Sequence, residues 1–218
     1  SQVSIRGVSA GQIIRDQPDM EVCGVTTCGR EALEMIRKEA PDVAVVDIVL
    51  ADWHGLELTQ SISAEGMRTH VVVYSMHDER VYAERALRAG ARGYVMKTEP
   101  TRSVVEAIRR VQRGEVSLSS EIASRILSNL TFGVRKRTAH PEDRPAASTL
   151  DTLTDRELMV FQMMGRGRTV ADISDELSLN RKTVETYRRR VRQKLGFKNN
   201  TELLQFAFHT MFSESSMN

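Results

Sequence analysis

Two domains of different fold class are predicted from this chain. One is an α/β domain built on a doubly wound parallel sheet, over residues 1–128; the other is an all-α four-helix domain, over residues 150–218. Three observations predict them. Short β-branched runs alternate with helical patterns through the first half, and caps and glycine stops divide the last third into four helices. Between them Gly133-Val-Arg-Lys-Arg-Thr-Ala-His-Pro-Glu-Asp-Arg-Pro-Ala-Ala-Ser is polar, holds two prolines and has no apolar period, which marks a linker over 129–149.

In the first half, Met20–Val25, Asp42–Asp47, His70–Ser75 and Arg92–Lys97 read as strands. Helical patterns at about 29–39, 55–64, 78–89 and 101–113 separate and follow them. Nearly continuous apolar strands alternating with helices imply a parallel sheet covered on both faces. The ligand site of such a sheet lies at the carboxyl ends of its strands.

In the last third, Thr154 with Glu157 three residues on is a capping box, opening a helix that Gly165-Arg-Gly167 ends. Thr169 caps a short amphipathic helix, Ser178-Leu179-Asn180 makes a tight polar turn, and a helix over 180–195 follows. Gly196 stops that helix. The fourth helix begins near Asn200, and its apolar positions Leu203, Leu204, Phe206, Ala207, Phe208 and Met211 cover more of the circumference than one core contact needs, so a second apolar contact is implied.

The helix over 180–195 carries two surfaces. Val184, Val191 and Leu195, with Tyr187 between them, form a docking stripe. Lys182, Thr186, Arg189 and Gln193 occupy the other side, flanked by Arg188, Arg190, Arg192 and Lys194. From Asn180 to Lys198 there are eight Lys or Arg against one Glu. Such a helix suits the major groove of double-stranded DNA, where charge gathers phosphates and polar side chains read base edges. A solvated basic face and a protein-docking surface are the alternatives.

Composition sets outer limits. At 40% hydrophobic and 28% charged residues the chain is of ordinary globular type, with no apolar run of membrane-spanning length and no signal-peptide pattern. Cys23 and Cys28 have no partner pair at metal spacing and read as reduced packing residues of a cytoplasmic protein. The net charge of +2 conceals a division: residues 1–128 hold 16 basic and 18 acidic residues, and residues 150–218 hold 11 and 9. Positive charge is concentrated on one helix, as in a nucleic-acid reader joined to a module with other work.

Three polar residues fall at strand ends in the first domain: Asp47, Ser75 and Lys97. Singly they read as a turn former, a loop hydroxyl and a solvated amine. Together they have a coherent use, with Asp47 as nucleophile toward a phosphoryl group, Lys97 paired with the phosphoryl oxygens and Ser75 donating to them.

The motifs Leu153-Thr-Asp-Arg-Glu, Asp172-Ile-Ser-Asp-Glu-Leu, Lys182-Thr-Val-Glu-Thr-Tyr and Lys194-Leu-Gly resemble the LuxR-type DNA-binding domain over 150 to about 212. By that resemblance the third helix enters the major groove. Glu185, Thr186 and Arg189 would face bases, and Lys182, Thr183, Tyr187, Arg190 and Lys194 would contact phosphates. Glu185 can accept from cytosine or form an i,i+4 pair with Arg189; both remain open. The fourth helix would form a homodimer contact on DNA through Leu203, Leu204, Ala207 and Met211.

The segments Val45-Val-Asp-Ile-Val-Leu-Ala-Asp-Trp-His-Gly, Val73-Tyr-Ser and Gly93-Tyr-Val-Met-Lys resemble a flavodoxin-like receiver domain, and the whole chain is similar to response regulators of the NarL/FixJ class. The resemblance implies Asp47 as phospho-acceptor from a sensor histidine kinase, Ser75 and Tyr94 as switch residues, Lys97 as phosphoryl partner and Mg²⁺ as cofactor. It implies a transcriptional regulator rather than an enzyme, any catalysis being the receiver's own phosphoryl transfer and dephosphorylation.

The sequence departs from that pattern in one main respect. It opens on what resembles the first helix, Ser4 to Asp16, with the family's first strand apparently missing and Ser1 and Gln2 where its acidic pair should stand. A divalent ion would then have only Asp47 and the Val49 carbonyl. Ala51 and Thr98 stand where the family often has Pro, and His54 follows Asp52 by two residues. The alternative mechanism is a pseudo-receiver that works by dimerisation or partner binding without phosphate.

Overall fold

A computed structural model describes residues 2–5, 14–132, 150 and 152–213, and the chain divides into two compact units, Ser1–Arg135 and Lys136–Asn218. In the first unit, β1 (Gln2–Ile5), β2 (Glu21–Val25), β3 (Val43–Val46), β4 (His70–Ser75) and β5 (Gly93–Met96) form one parallel sheet in the order β2-β1-β3-β4-β5. Its helices are α1 (Gly29–Glu39), α2 (Gly55–Ala64), α3 (Glu79–Arg88), α4 (Thr101–Gln112) and α5 (Ser120–Phe132).

Every residue of β3 is buried, as is β4 from Val71 onward, which is why these strands read as unbroken apolar runs. On one face Val43, Val45, Val72, Tyr74 and Val95 pack with Val104, Val105, Ile108 and Val111 of α4 and with Ile14. Helix α1 packs on α2, α2 on α3, and α3 on β5 and α5. The Glu79 carboxylate accepts from the Ser119 amide at 3.0 Å, fixing the start of α5 to the first turn of α3.

The expectation of a missing first strand is overturned. Gln2–Ile5 is hydrogen-bonded between two neighbours, with Val3 opposite both Val22 and Val43 and a register shift between Val3 and Ser4. Pairing is the physical reason: without a strand there, β2 and β3 would each leave a row of backbone groups unpaired, and the β-branched Val3 and Ile5 suit the pleat. The helical pattern expected from Ser4 to Asp16 therefore loses its start. Ile14 and Arg15 are helical, and residues 6–13 lie outside the described residues. Helix α5 extends through residues 129–132 of the expected linker, and Gly133–Ser148 also lie outside the described residues.

The second unit consists of α6 (Asp155–Gly165), α7 (Val170–Glu176), α8 (Arg181–Lys194) and α9 (Asn200–Ser213). Helix α6 is buried from Glu157 to Gly165 because α8 and α9 both pack against it. Thr154 and Glu157 form the predicted capping box, and Thr169 with Asp172 forms another at α7. The turn between α7 and α8 takes Ser178 to φ +52°, and the Ser174 hydroxyl donates to the Leu179 carbonyl at 2.5 Å, closing it. Asn180 then caps α8 through the Thr183 amide at 2.8 Å. No helix among the described residues is long and apolar enough to cross a membrane, and Cys23 and Cys28 are free thiols.

Candidate acceptor site and nucleic-acid interface

Asp47 follows β3 at the carboxyl edge of the sheet, where the strand order changes direction between β1 and β3. Its Oδ1 accepts from the Ser75 hydroxyl at 2.9 Å, and its Oδ2 lies 2.6 Å from the Lys97 ammonium. Three strand ends thus bring the three predicted residues together. The Asp47 and Lys97 side chains keep 20% and 27% of their exposure, so the pair is shielded yet reachable from solvent. A small electrophile can approach the carboxylate while an ammonium and a hydroxyl stand ready for its oxygens.

Tyr94, the fourth predicted residue, is buried, and its hydroxyl donates to the His77 carbonyl at 2.8 Å. Burial pushes its phenol above the ordinary range, with the nearby Tyr82 hydroxyl adding to the effect. Ser75 is also fully buried. Both residues occupy inward positions.

Sequence reasoning gave no role to the residues that shape the segment after Asp47. The Gly55 amide donates to the Ile48 carbonyl at 2.8 Å, and a Cβ at Gly55 would lie 1.9 Å from the Asp47 carbonyl oxygen. His54 is fully buried and caps α2, its Nδ1 accepting from the Leu56 amide at 3.2 Å. Asp52 accepts from the Gly29 amide at 2.5 Å and the Arg30 amide at 3.4 Å. Desolvation raises the Asp52 carboxyl, but these amides outweigh it and hold its pKa below the usual value. The signal available in sequence was the crowding of Asp, His and Gly just after the acceptor.

The residues described do not fit the implied Mg²⁺ ion. Among them no three His, Cys, Asp or Glu side chains converge as metal ligands. Asp47 and the Val49 carbonyl fall short of an octahedral oxygen shell, and both Asp47 oxygens are engaged by Ser75 and Lys97. The end of β1 nearest the acceptor is Ile5, paired with Val45, rather than Ser1 or Gln2. Residues 1–13 carry no Asp or Glu.

Helix α8 presents its cations as the apolar period requires. Val184 and Val191 are fully buried, whereas Lys182, Glu185, Arg189 and Arg190 are exposed and Thr183, Thr186 and Tyr187 are half-buried. Glu185 pairs with Arg188 at 2.9 Å, three residues on, instead of with Arg189. The Thr183 hydroxyl donates to the Asn180 side chain and the Thr186 hydroxyl to the Lys182 carbonyl. Lys194 stands apart from the rest. Its ammonium lies 2.6 Å from the buried Glu157 carboxylate and 3.2 Å from the Thr152 carbonyl, so it is committed within the domain.

Two of the four residues expected at a dimer contact are corrected. Leu203 and Ala207 have no exposed surface, because that side of α9 packs on α6. Phe206 closes the same contact, with ring centroids 5.9 Å from Phe161 and 5.1 Å from Phe197. Leu204 remains 39% exposed, with Phe208 at 56% one turn on. The Met211 side chain lies outside the described residues.

Comparison with known proteins agrees with both halves. The profile described as response regulator receiver domain matches residues 7–109, and that of bacterial regulatory proteins of the luxR family matches residues 151–207. The chain is 31% identical over 197 residues to the response regulator UvrY of Escherichia coli, covering 90% of this chain and 85% of that protein. It is also 31% identical over 206 residues to the response regulator GacA of Pseudomonas aeruginosa, covering 94% and 92%. The RcsB response regulator of Salmonella typhimurium matches the fold with a TM-score of 0.60 at 19% identity, over 94% of this chain and 96% of that one. Nothing in these comparisons favours a pseudo-receiver. Matched in both domains and along most of the length of two relatives, the chain belongs to the two-component response regulators that join a receiver domain to a LuxR-type helix-turn-helix, and is a DNA-binding transcriptional regulator.

Proposed function

We propose that this regulator is switched by phosphoryl transfer from a sensor histidine kinase to Asp47, and that the phosphorylated form binds DNA as a dimer. The observation that carries this reading is the convergence of Ser75 and Lys97 on the two oxygens of Asp47. An Asp47 oxygen attacks the phosphorus of the donor phosphohistidine. The O–P bond forms as the N–P bond breaks, and the departing imidazole nitrogen keeps the electron pair and takes up a proton. Lys97 and Ser75 pass from the carboxylate to the phosphoryl oxygens, where the ammonium offsets the new charge.

On the output side, Arg189, Thr186 and Glu185 are the base-facing residues, and Lys182, Thr183, Tyr187 and Arg190 hold phosphates. The exposure of the α8 cations opposite the Val184 and Val191 stripe supports this division. Leu204, extended by Phe208, supplies the contact between copies on DNA. Joining two readers lets the second half-site bind at high effective concentration, so a modest dimer contact multiplies operator affinity.

The test is operator titration with and without acetyl phosphate in the presence of MgCl₂, on the parent chain and on Asp47→Ala. The parent gains one phosphoryl mass and binds more tightly, whereas Asp47→Ala keeps its basal binding and gains nothing. Equal response, or equal lack of response, in the two proteins would remove Asp47 from the mechanism.

A further inference from the structure

Strand alternation brings a residue outside the acceptor triad onto the same side of the sheet as the acceptor. Side chains two apart on a strand share a face. Val43 and Val45 lead to Asp47, Val95 leads to Lys97, and Tyr74, paired in register with Val95, lies in the core cluster with Val45 and Val95. Ser75 reaches the same carboxylate from the next position along β4. The Lys97 ammonium therefore stands beside two groups: the Asp47 carboxylate at 2.6 Å and the ring of Tyr74, with 5.8 Å between the nitrogen and the ring centroid.

That distance falls within the range of a cation–π contact, and the surroundings favour one. Tyr74 is 8% exposed and belongs to the same buried core cluster as Val104, Val105 and Ile108 of α4. The ring is thus fixed before Lys97 arrives. The Lys97 amide donates to the Ser75 carbonyl at 2.8 Å, so the backbone at the base of the lysine is fixed as well. What remains free is the four-carbon stem. An ammonium on so flexible a stem loses entropy on being held in one place, and a rigid aromatic face lowers that cost by offering attraction without competing for the hydrogens that Asp47 or a phosphoryl group needs.

We propose that Tyr74 is a positioning residue for phosphoryl transfer, its ring seating the Lys97 ammonium at the acceptor carboxylate both before and after Asp47 is modified. The proposal rests on the reading of Asp47 as the phospho-acceptor. It differs from a packing role because only the aromatic face matters to it. Among the described residues Lys97 is the cation paired with Asp47, and no carboxylate cluster suited to a divalent ion stands beside them. The seat of that one ammonium consequently carries more of the charge balance than it would beside a full set of metal ligands.

The experiment compares the full-length parent with Tyr74→Phe and Tyr74→Leu in two measurements. The first is the proton spectrum of the Lys97 ε-methylene, which the ring current of a seated aromatic shifts upfield. The shift is present in the parent and in Tyr74→Phe and absent in Tyr74→Leu. The second is the rate of phosphoryl uptake at Asp47 from acetyl phosphate in the presence of MgCl₂, followed by intact mass. Tyr74→Phe keeps the parent rate and Tyr74→Leu is slower by about three- to tenfold. An unshifted ε-methylene in the parent overturns the seat whether or not any variant folds. A Tyr74→Leu rate equal to the parent's, or a Tyr74→Phe rate as low as that of Tyr74→Leu, overturns the positioning role. If the parent takes up no phosphoryl group, the acceptor reading of Asp47 fails and the positioning role fails with it, while the methylene spectrum still decides whether Tyr74 seats Lys97.

Discussion

Lys194, in the last turn of the basic helix α8, places its ammonium 2.6 Å from the carboxylate of Glu157, the capping-box residue at the start of α6. Glu157 is 3% exposed at its side chain and also accepts from the Thr154 amide at 2.8 Å. One carboxylate therefore finishes the cap of the central helix and anchors the far end of the helix that carries the exposed cations. A residue of the basic run thus ties that run to the core of its own domain.

Glu157→Gln is expected to destabilise the DNA-binding domain by roughly 1–2 kcal/mol, the lower part of the range for breaking a shielded pair because Lys194 is 38% exposed and partly screened. Burial raises the Glu157 carboxyl, but the Lys194 contact and the Thr154 cap outweigh it and hold its folded pKa below the ordinary 4.5. A depressed carboxylate contributes stability that is present above the unfolded value and is lost as pH falls through the folded one. Protection of the α6 amides against hydrogen exchange, taken relative to their intrinsic rate at each pH, should therefore fall in the parent below about pH 4.5, and this contribution to the acid response should be missing in Glu157→Gln. Identical acid profiles would show that the pair contributes nothing to stability.

Arg189→Ala and Arg190→Ala should separate reading from holding. The first is expected to cost ~1–3 kcal/mol on a specific operator and to relax preference at one base pair, and the second to weaken specific and random duplex alike and flatten the salt slope by about one unit. Operator titrations at several salt concentrations check both. Equal losses on the two duplexes for Arg189→Ala would take it away from the bases.

Neighbouring leucines on α9 should behave in opposite ways. Leu203→Asp places a charge in the contact between α9 and α6 and should unfold the domain. Leu204→Asp changes a partly exposed side chain and should leave the fold intact while abolishing cooperative binding to a two-half-site operator. Circular dichroism and operators with one and two half-sites distinguish the cases. Retained cooperativity in a folded Leu204→Asp protein would falsify the dimer assignment.

Gly55 is expected to tolerate no side chain. A Cβ there meets the Asp47 carbonyl oxygen at 1.9 Å, whereas one at Gly66 meets nothing within 4 Å and is opposed only by a φ of +65°. Gly55→Ala should cost about 2–4 kcal/mol and slow phosphoryl uptake, against about 1 kcal/mol for Gly66→Ala. Fluorescence of Trp53, the one tryptophan, follows unfolding of the receiver domain alone. Equal stability of the two variants would show that the α2 start does not press on the acceptor.

Sequence by itself determined the elements and the chemistry at their ends. The alternation that buries both faces of β3 and β4 is written in consecutive valines, and Thr154, Thr169 and Asn180 announce the helices they cap, because burial pattern and capping are local properties of the chain. Asp47, Ser75 and Lys97 could be grouped from sequence because a parallel sheet aligns its strand ends. Only the tertiary structure decided what depends on partners distant along the chain. Gln2–Ile5 becomes a strand because β2 and β3 need one between them. Leu203 and Leu204 differ because only α6 says which side of α9 is inside. Lys194 differs from the other cations of its helix because a carboxylate 37 residues earlier in the chain lies within its reach. Each of these is a pairing across space, which no local period in the sequence encodes.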